Sequence, residues 1–67
     1  MRGRVKIWMS DKPFGFIAVD GQDDVFVHAS GIAGSRVELR PGDECEFELL
    51  DNPRKPGKML AKNLEVV

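Results

Sequence analysis

One cysteine and one histidine occur in 67 residues, so no internal disulfide can form and no Cys/His set stands at metal-ligand spacing. Neither a structural metal nor any other cofactor is expected. No apolar run approaches the ~20 residues of a membrane-spanning helix, and the N-terminus lacks the apolar core of a signal peptide. These absences point to a reducing, cytoplasmic compartment. Catalytic constellations are missing as well. There is no Ser/His/Asp set, no carboxylate pair in an evident cleft and no phosphate-cradling glycine loop. An enzyme acting on a small-molecule substrate is therefore not expected. The length allows one core, and so one domain over residues 1–67. A core that small leaves a net stability of only ~3–5 kcal/mol.

Charge of one sign is also missing, since the formal net charge is −1. That total hides a segregated chain. Residues 1–17 carry Arg2, Arg4, Lys6 and Lys12 against Asp11. Residues 18–28 are acidic through Asp20, Asp23 and Asp24, and residues 29–50 through Glu38, Asp43, Glu44, Glu46 and Glu48 against Arg36 and Arg40. The last segment is basic again, with Arg54, Lys55, Lys58 and Lys62 against Asp51 and Glu65.

What is present is alternation. Gly3 to Ser10 sets Val5, Ile7 and Met9 on one side and Arg4, Lys6 and Trp8 on the other, a first strand with an outward aromatic unless a bulge turns Trp8 inward. Ser10-Asp11-Lys12-Pro13 is turn chemistry. Phe14 to Asp20 and Asp24 to His28 read as the second and third strands, joined by Gly21-Gln22-Asp23. Ala29 to Gly42 is a longer connection, in which Ser30-Gly31-Ile32 has room for one helical turn. Asp43 to Leu50 alternates Cys45, Phe47 and Leu49 with Glu44, Glu46 and Glu48, a fourth strand with an acidic outer face. Asp51 to Gly57 is a basic loop, and Lys58 to Val67 a fifth strand whose inward set is Met59 and Ala61, or Leu60 and Leu64, or both across a bulge. Five short antiparallel strands without a real helix predict an all-β, closed or nearly closed barrel, which also removes exposed edges.

The second and third strands carry the functional signal. Phe14 and Phe16 share one face, Phe26 and His28 share another, and the alternate positions Ile17, Val19, Val25 and Val27 are aliphatic. Three phenylalanines in neighbouring strands are commonly core. Both faces of so small a sheet cannot be buried, however, so the aromatic side is expected outside. A flat aromatic face needs something to stack on it, and unpaired nucleic-acid bases fit. Lys6 and Lys12 stand beside it as phosphate contacts; Arg54, Lys55 and Lys58 read as a mobile basic loop, with Lys58 the candidate contact nearest the fifth strand. Cys45 reads as a small buried hydrophobe and His28 as a base-contacting residue rather than a ligand or catalyst.

Lys12-Pro13-Phe14-Gly15-Phe16-Ile17 and Val25-Phe26-Val27-His28 resemble the two RNA-binding motifs of cold-shock domains. Asp20-Gly21-Gln22-Asp23-Asp24, Pro41-Gly42, Glu46-Phe47-Glu48 and Ala61-Lys62-Asn63-Leu64 also fall where that family places them. The resemblance implies a five-stranded antiparallel OB-type barrel that binds single-stranded RNA or DNA with low sequence selectivity. It nominates Lys6, Trp8, Lys12, Phe14, Phe16, Phe26 and His28. It implies RNA chaperoning, antitermination-type regulation and a monomer, with strand swapping as the route to a dimer. The departures are specific. Ile7 and Ala29 stand where the family usually has aromatics, Arg36 aligns with a loop aromatic, and Pro13 replaces a glycine. Each stacked base contributes ~1–3 kcal/mol, so a weaker or shorter-footprint binder is expected, with Arg36 compensating by stacking or phosphate contact. The alternative is a protein-interaction or self-association module using the same face.

Overall fold

A computed structural model describes residues 1–34 and 38–67. Five strands, β1 (Arg2–Met9), β2 (Phe14–Ala18), β3 (Val25–His28), β4 (Glu44–Asp51) and β5 (Met59–Val66), form a closed barrel in the order β1-β2-β3-β5-β4. A 3₁₀ turn, Ala29–Gly31, follows β3. Four of the seams are antiparallel, as expected from the sequence, but β3 meets β5 in parallel through Phe26 and Leu60. Alternating strand direction cannot be kept around a ring with an odd number of strands, so one seam has to be parallel. Here it is the closing one.

The inner surface follows from alternation. Ile17 of β2, Val25 and Val27 of β3, and Cys45 and Phe47 of β4 are buried, and Ile32 and Leu39 from the long connection join them. No polar side chain is buried with them among the described residues. Burial of a Val or Ile side chain contributes ~1.5–3 kcal/mol, which is how a barrel without disulfide or metal holds together.

Two strands break their own period. In β1 the pairing with β2 shifts between Val5 and Ile7, so Val5 faces Ile17 while Ile7 faces Phe16 and Trp8 faces Gly15. This bulge corrects the simple alternation. Val5 is buried, yet Ile7 is 46% exposed on the outside. Trp8 turns to the other side and packs, half-buried, against the core. A Cβ on Gly15 would run into the Ile7 carbonyl oxygen and lie 2.8 Å from the Trp8 ring, so only glycine leaves the ring its place. In β5 both Ala61 and Leu64 are buried although three residues apart. The pairing with β4 shifts between Glu46 and Glu48, and Asn63 absorbs the extra residue at φ 53°. The inward set across a bulge is thus Ala61 and Leu64, with Leu60 left outside.

Candidate nucleic-acid interface

Directly opposed residues of an antiparallel pair share a face. The register Phe14 to His28 and Phe16 to Phe26 therefore gathers the outward residues of β2 and β3 into one patch. The three phenylalanine rings pack edge to face or tilted. Their centroids are 5.3 Å apart for Phe14–Phe26, 5.9 Å for Phe16–Phe26 and 6.2 Å for Phe14–Phe16. Such geometry stabilises the cluster while leaving ring faces and edges open, and all three residues stay only half-buried. One apolar row, Ile7–Phe16–Phe26–Leu60–Leu50, crosses all five strands on the outside.

His28 is exposed at the end of this patch. Its Nδ1 accepts the backbone N–H of Ser30 at 3.1 Å, capping the 3₁₀ turn, and lies 3.0 Å from the Ser30 hydroxyl. In the neutral ring that leaves Nε2 as the donor available to a ligand.

The cations divide into two groups. Lys6, on the β1 side, makes an ion pair with Asp24 at 3.0 Å. Both partners are largely exposed, so the pair contributes only ~0–1 kcal/mol, but the carboxylate offsets the charge that Lys6 presents. Lys12 is exposed in the turn before β2, away from the cleft described next. On the other side, the loop after β4 folds back beside the phenylalanines. Arg54, Lys55 and Lys58 line a cleft of about 920 Å³ together with Phe14, Phe16, Phe26, His28 and Leu60. The loop is built rather than loose. Asn52 Oδ1 accepts the Arg54 N–H at 3.0 Å, Lys58 N–H donates to the Lys55 carbonyl at 3.0 Å, and Asn52 N–H donates to the Lys58 carbonyl at 3.0 Å. Gly57 supplies the left-handed turn at φ 83°.

Of the residues nominated from sequence, the fold brings together Phe14, Phe16, Phe26, His28 and Lys58. It leaves Lys6 and Lys12 outside the cleft and turns Trp8 away, its Nε1 buried without a partner among the described residues. Arg36 lies outside the described residues. Sequence reasoning missed Met59 and Leu60 as part of the surface and the fixed placement of Arg54 and Lys55. The clustering of three cations near Pro53 and Pro56 was a visible signal, but their proximity to Phe26 depends on the parallel β3–β5 seam.

The opposite outer surface differs. Glu44 and Glu46 of β4 hold Arg2 at 3.9 and 3.3 Å, and Glu48 accepts from the Asn63 amide. Beneath them burial raises the pKa of the Cys45 thiol, with Asp43 and Glu44 adding to the shift; its Sγ donates a weak bond to the Gly3 carbonyl.

The family description that matches this chain is the 'Cold-shock' DNA-binding domain, over residues 1–66. Cold shock-like protein CspLB of Listeria monocytogenes is 49% identical over 55 residues, covering 81% of this chain and 83% of the relative. Cold shock protein CspD of Bacillus subtilis is 46% identical over 55 residues, with the same coverage. Cold shock-like protein CspE of Bacillus anthracis is 47% identical over 57 residues, covering 84% and 85%. A closed five-stranded barrel, an outward aromatic patch on β2 and β3, and these matches across the chain agree, and the protein belongs to the cold-shock domain family.

Proposed function

We propose that this protein binds single-stranded RNA or DNA by stacking bases on Phe14, Phe16, Phe26 and His28, with low sequence selectivity. The observation that carries the reading is the half-exposed cluster of three phenylalanine rings outside a barrel whose inside is already filled. Water solvates such a surface poorly, and unpaired bases cover it with matching π faces. Lysine and arginine beside the rings neutralise phosphates. The protein acts as a binder without catalysing a reaction, and as a monomer in the cytoplasm. Its use is RNA chaperoning: transcripts held single-stranded cannot close into terminator hairpins or block translation.

Fewer stacking platforms are available than a full aromatic set would supply. Ile7 occupies the outer position on β1, Ala29 follows His28, and Trp8 faces the core. Weaker binding than that of relatives carrying those aromatics follows. Titration of labelled single strands against Phe16→Ala and Phe26→Ala tests the reading. Each variant is expected to remain folded and to lose about 1–3 kcal/mol of binding free energy. Variants that unfold, yet bind normally whenever folded, would show that these rings are core and that the surface serves another partner.

A further inference from the structure

We propose that His28 is a pH-sensitive latch. As the neutral imidazole it holds the 3₁₀ turn closed beside β5; as the imidazolium it releases that turn and offers its charge to a bound strand. This rests on the stacking reading above and adds a regulatory state to it. The state of the ring follows from its partners. A backbone N–H can only donate, so the 3.1 Å bond from the Ser30 N–H requires an unprotonated Nδ1. The Ser30 hydroxyl lies 3.0 Å from the same atom. A proton on Nδ1 would point at the Ser30 N–H, so the imidazolium cannot make this cap.

What the cap holds is the join between β3 and β5. Strand β3 itself meets β5 through the pair Phe26 and Leu60. The turn extends that short seam. Ala29 N–H donates to the Pro13 carbonyl at 2.9 Å and Ile32 N–H to the Ala29 carbonyl at 3.1 Å. Ile32 then bridges Leu64 in parallel, and Ala33 N–H donates to the Leu64 carbonyl at 2.8 Å. Gly31 lies so close to β5 that a Cβ there would stand 2.8 Å from the Ala61 carbonyl oxygen. His28 and Ser30 also line the cleft that holds the phenylalanines, so a charge on the ring is presented to whatever the rings bind. The other charged groups on that cleft are Asp23, Asp24, Arg54, Lys55 and Lys58. Lys12 stands in the turn before Phe14, which is opposite His28, and Lys62 of β5 is beside Gly31. Carboxylates, ammonium and guanidinium groups ordinarily keep their charge between weakly acid and neutral pH, whereas imidazole does not. Phosphates favour the imidazolium and the cap favours the neutral ring, so strand binding takes up a proton.

The test compares wild-type protein with His28→Asn at about pH 5.5 and about pH 7, on either side of the ordinary imidazole range. His28 already has the extended backbone of a cap residue, at φ −99° and ψ 154°. Asparagine fits there, offers Oδ1 to the Ser30 N–H and does not titrate. Binding of a short fluorescent oligothymidylate is measured across a range of salt, and the free proteins are melted at both pH values. On acidification the wild-type protein is expected to bind about 3-fold more tightly, with a slope of log K against log salt steeper by about 0.7, the contribution of one neutralised phosphate. Its free form is expected to lose more melting temperature than His28→Asn does. The sign follows from the neutral cap, whose contribution is present at neutral pH and is lost as pH falls through the imidazole range. His28→Asn is expected to show neither the tighter binding nor the steeper slope. If it follows the wild type in binding or in melting, stacking stands and the latch is overturned. If the wild type binds the oligothymidylate at neither pH, the stacking reading fails and the latch with it.

Discussion

On the outside of β4 the residues at alternate positions are Glu44, Glu46 and Glu48, whereas on the outside of β2 and β3 they are Phe14, Phe16, Phe26 and His28. Both surfaces cover the same aliphatic core, and both strand sets alternate cleanly. The acidic face carries its own partners, with Arg2 and Asn63 bound to its carboxylates. The aromatic face has its rings packed on one another, Leu60 beside Phe26, and a basic loop along one side. The contrast teaches that in β2, β3 and β4, where no bulge breaks the strand's own period, parity marks inside from outside. Chemistry on the outer parity then distinguishes a solvated face from one shaped for a partner.

The largest effect on this comparison comes from beneath it. Ile17→Ala removes a fully buried side chain shared by both faces and is expected to cost about 2–5 kcal/mol. That is much of the stability of so small a barrel. A chemical-denaturation midpoint that hardly moves would mean the inner face is not the foundation of either surface. Gly15→Ala comes next, at about 1–3 kcal/mol, because the new methyl meets the Ile7 carbonyl and the Trp8 ring. Its signature is a shift of Trp8 fluorescence emission in the folded state, and an unshifted spectrum would place the ring elsewhere.

The two smaller effects concern the acidic side. The Cys45 thiol has its pKa raised chiefly by burial, so the folded state keeps a proton that the unfolded chain releases. Stability is therefore full below the ordinary thiol pKa of ~8.5 and is lost as pH rises through the higher folded value. A Cys45→Ala variant is expected to show a flatter decline in melting temperature between weakly and strongly alkaline pH. An equally steep decline would assign the effect to other groups. Last, Glu46→Gln/Glu48→Gln should change stability by no more than about 0.5 kcal/mol. It should strengthen single-strand binding slightly at low salt and not at high salt, since the Debye length shrinks to ~3 Å at 1 M. A large gain that persists in high salt would mean the strand reaches the acidic face itself.

Most of the barrel was legible because period-two patterns survive in β2, β3 and β4. Phe14, Phe16, Phe26 and His28 could be put outside from their aliphatic neighbours alone. β1 was misread because a bulge after Val5 reverses the parity of everything that follows, and alternation cannot reveal where a period is broken. β5 was ambiguous for the same reason, with Asn63 carrying the break. The nucleic-acid motifs point to the rings, and the sequence puts Lys6 beside them as a phosphate contact but Lys58 in a mobile basic loop. In the fold Asp24 bonds the first and not the second.

By itself, then, the amino-acid sequence determined the strand count, the inward aliphatic rows of β2, β3 and β4, the aromatic patch and the family. Each of these depends on local spacing and residue type. Tertiary structure alone decided the parallel closing seam, the inward turn of Trp8 over Gly15, and the placement of Arg54, Lys55 and Lys58 beside Phe26. Those features arise where residues distant in the chain meet, and ring closure with an odd number of strands is a constraint on the whole barrel rather than on any stretch of it.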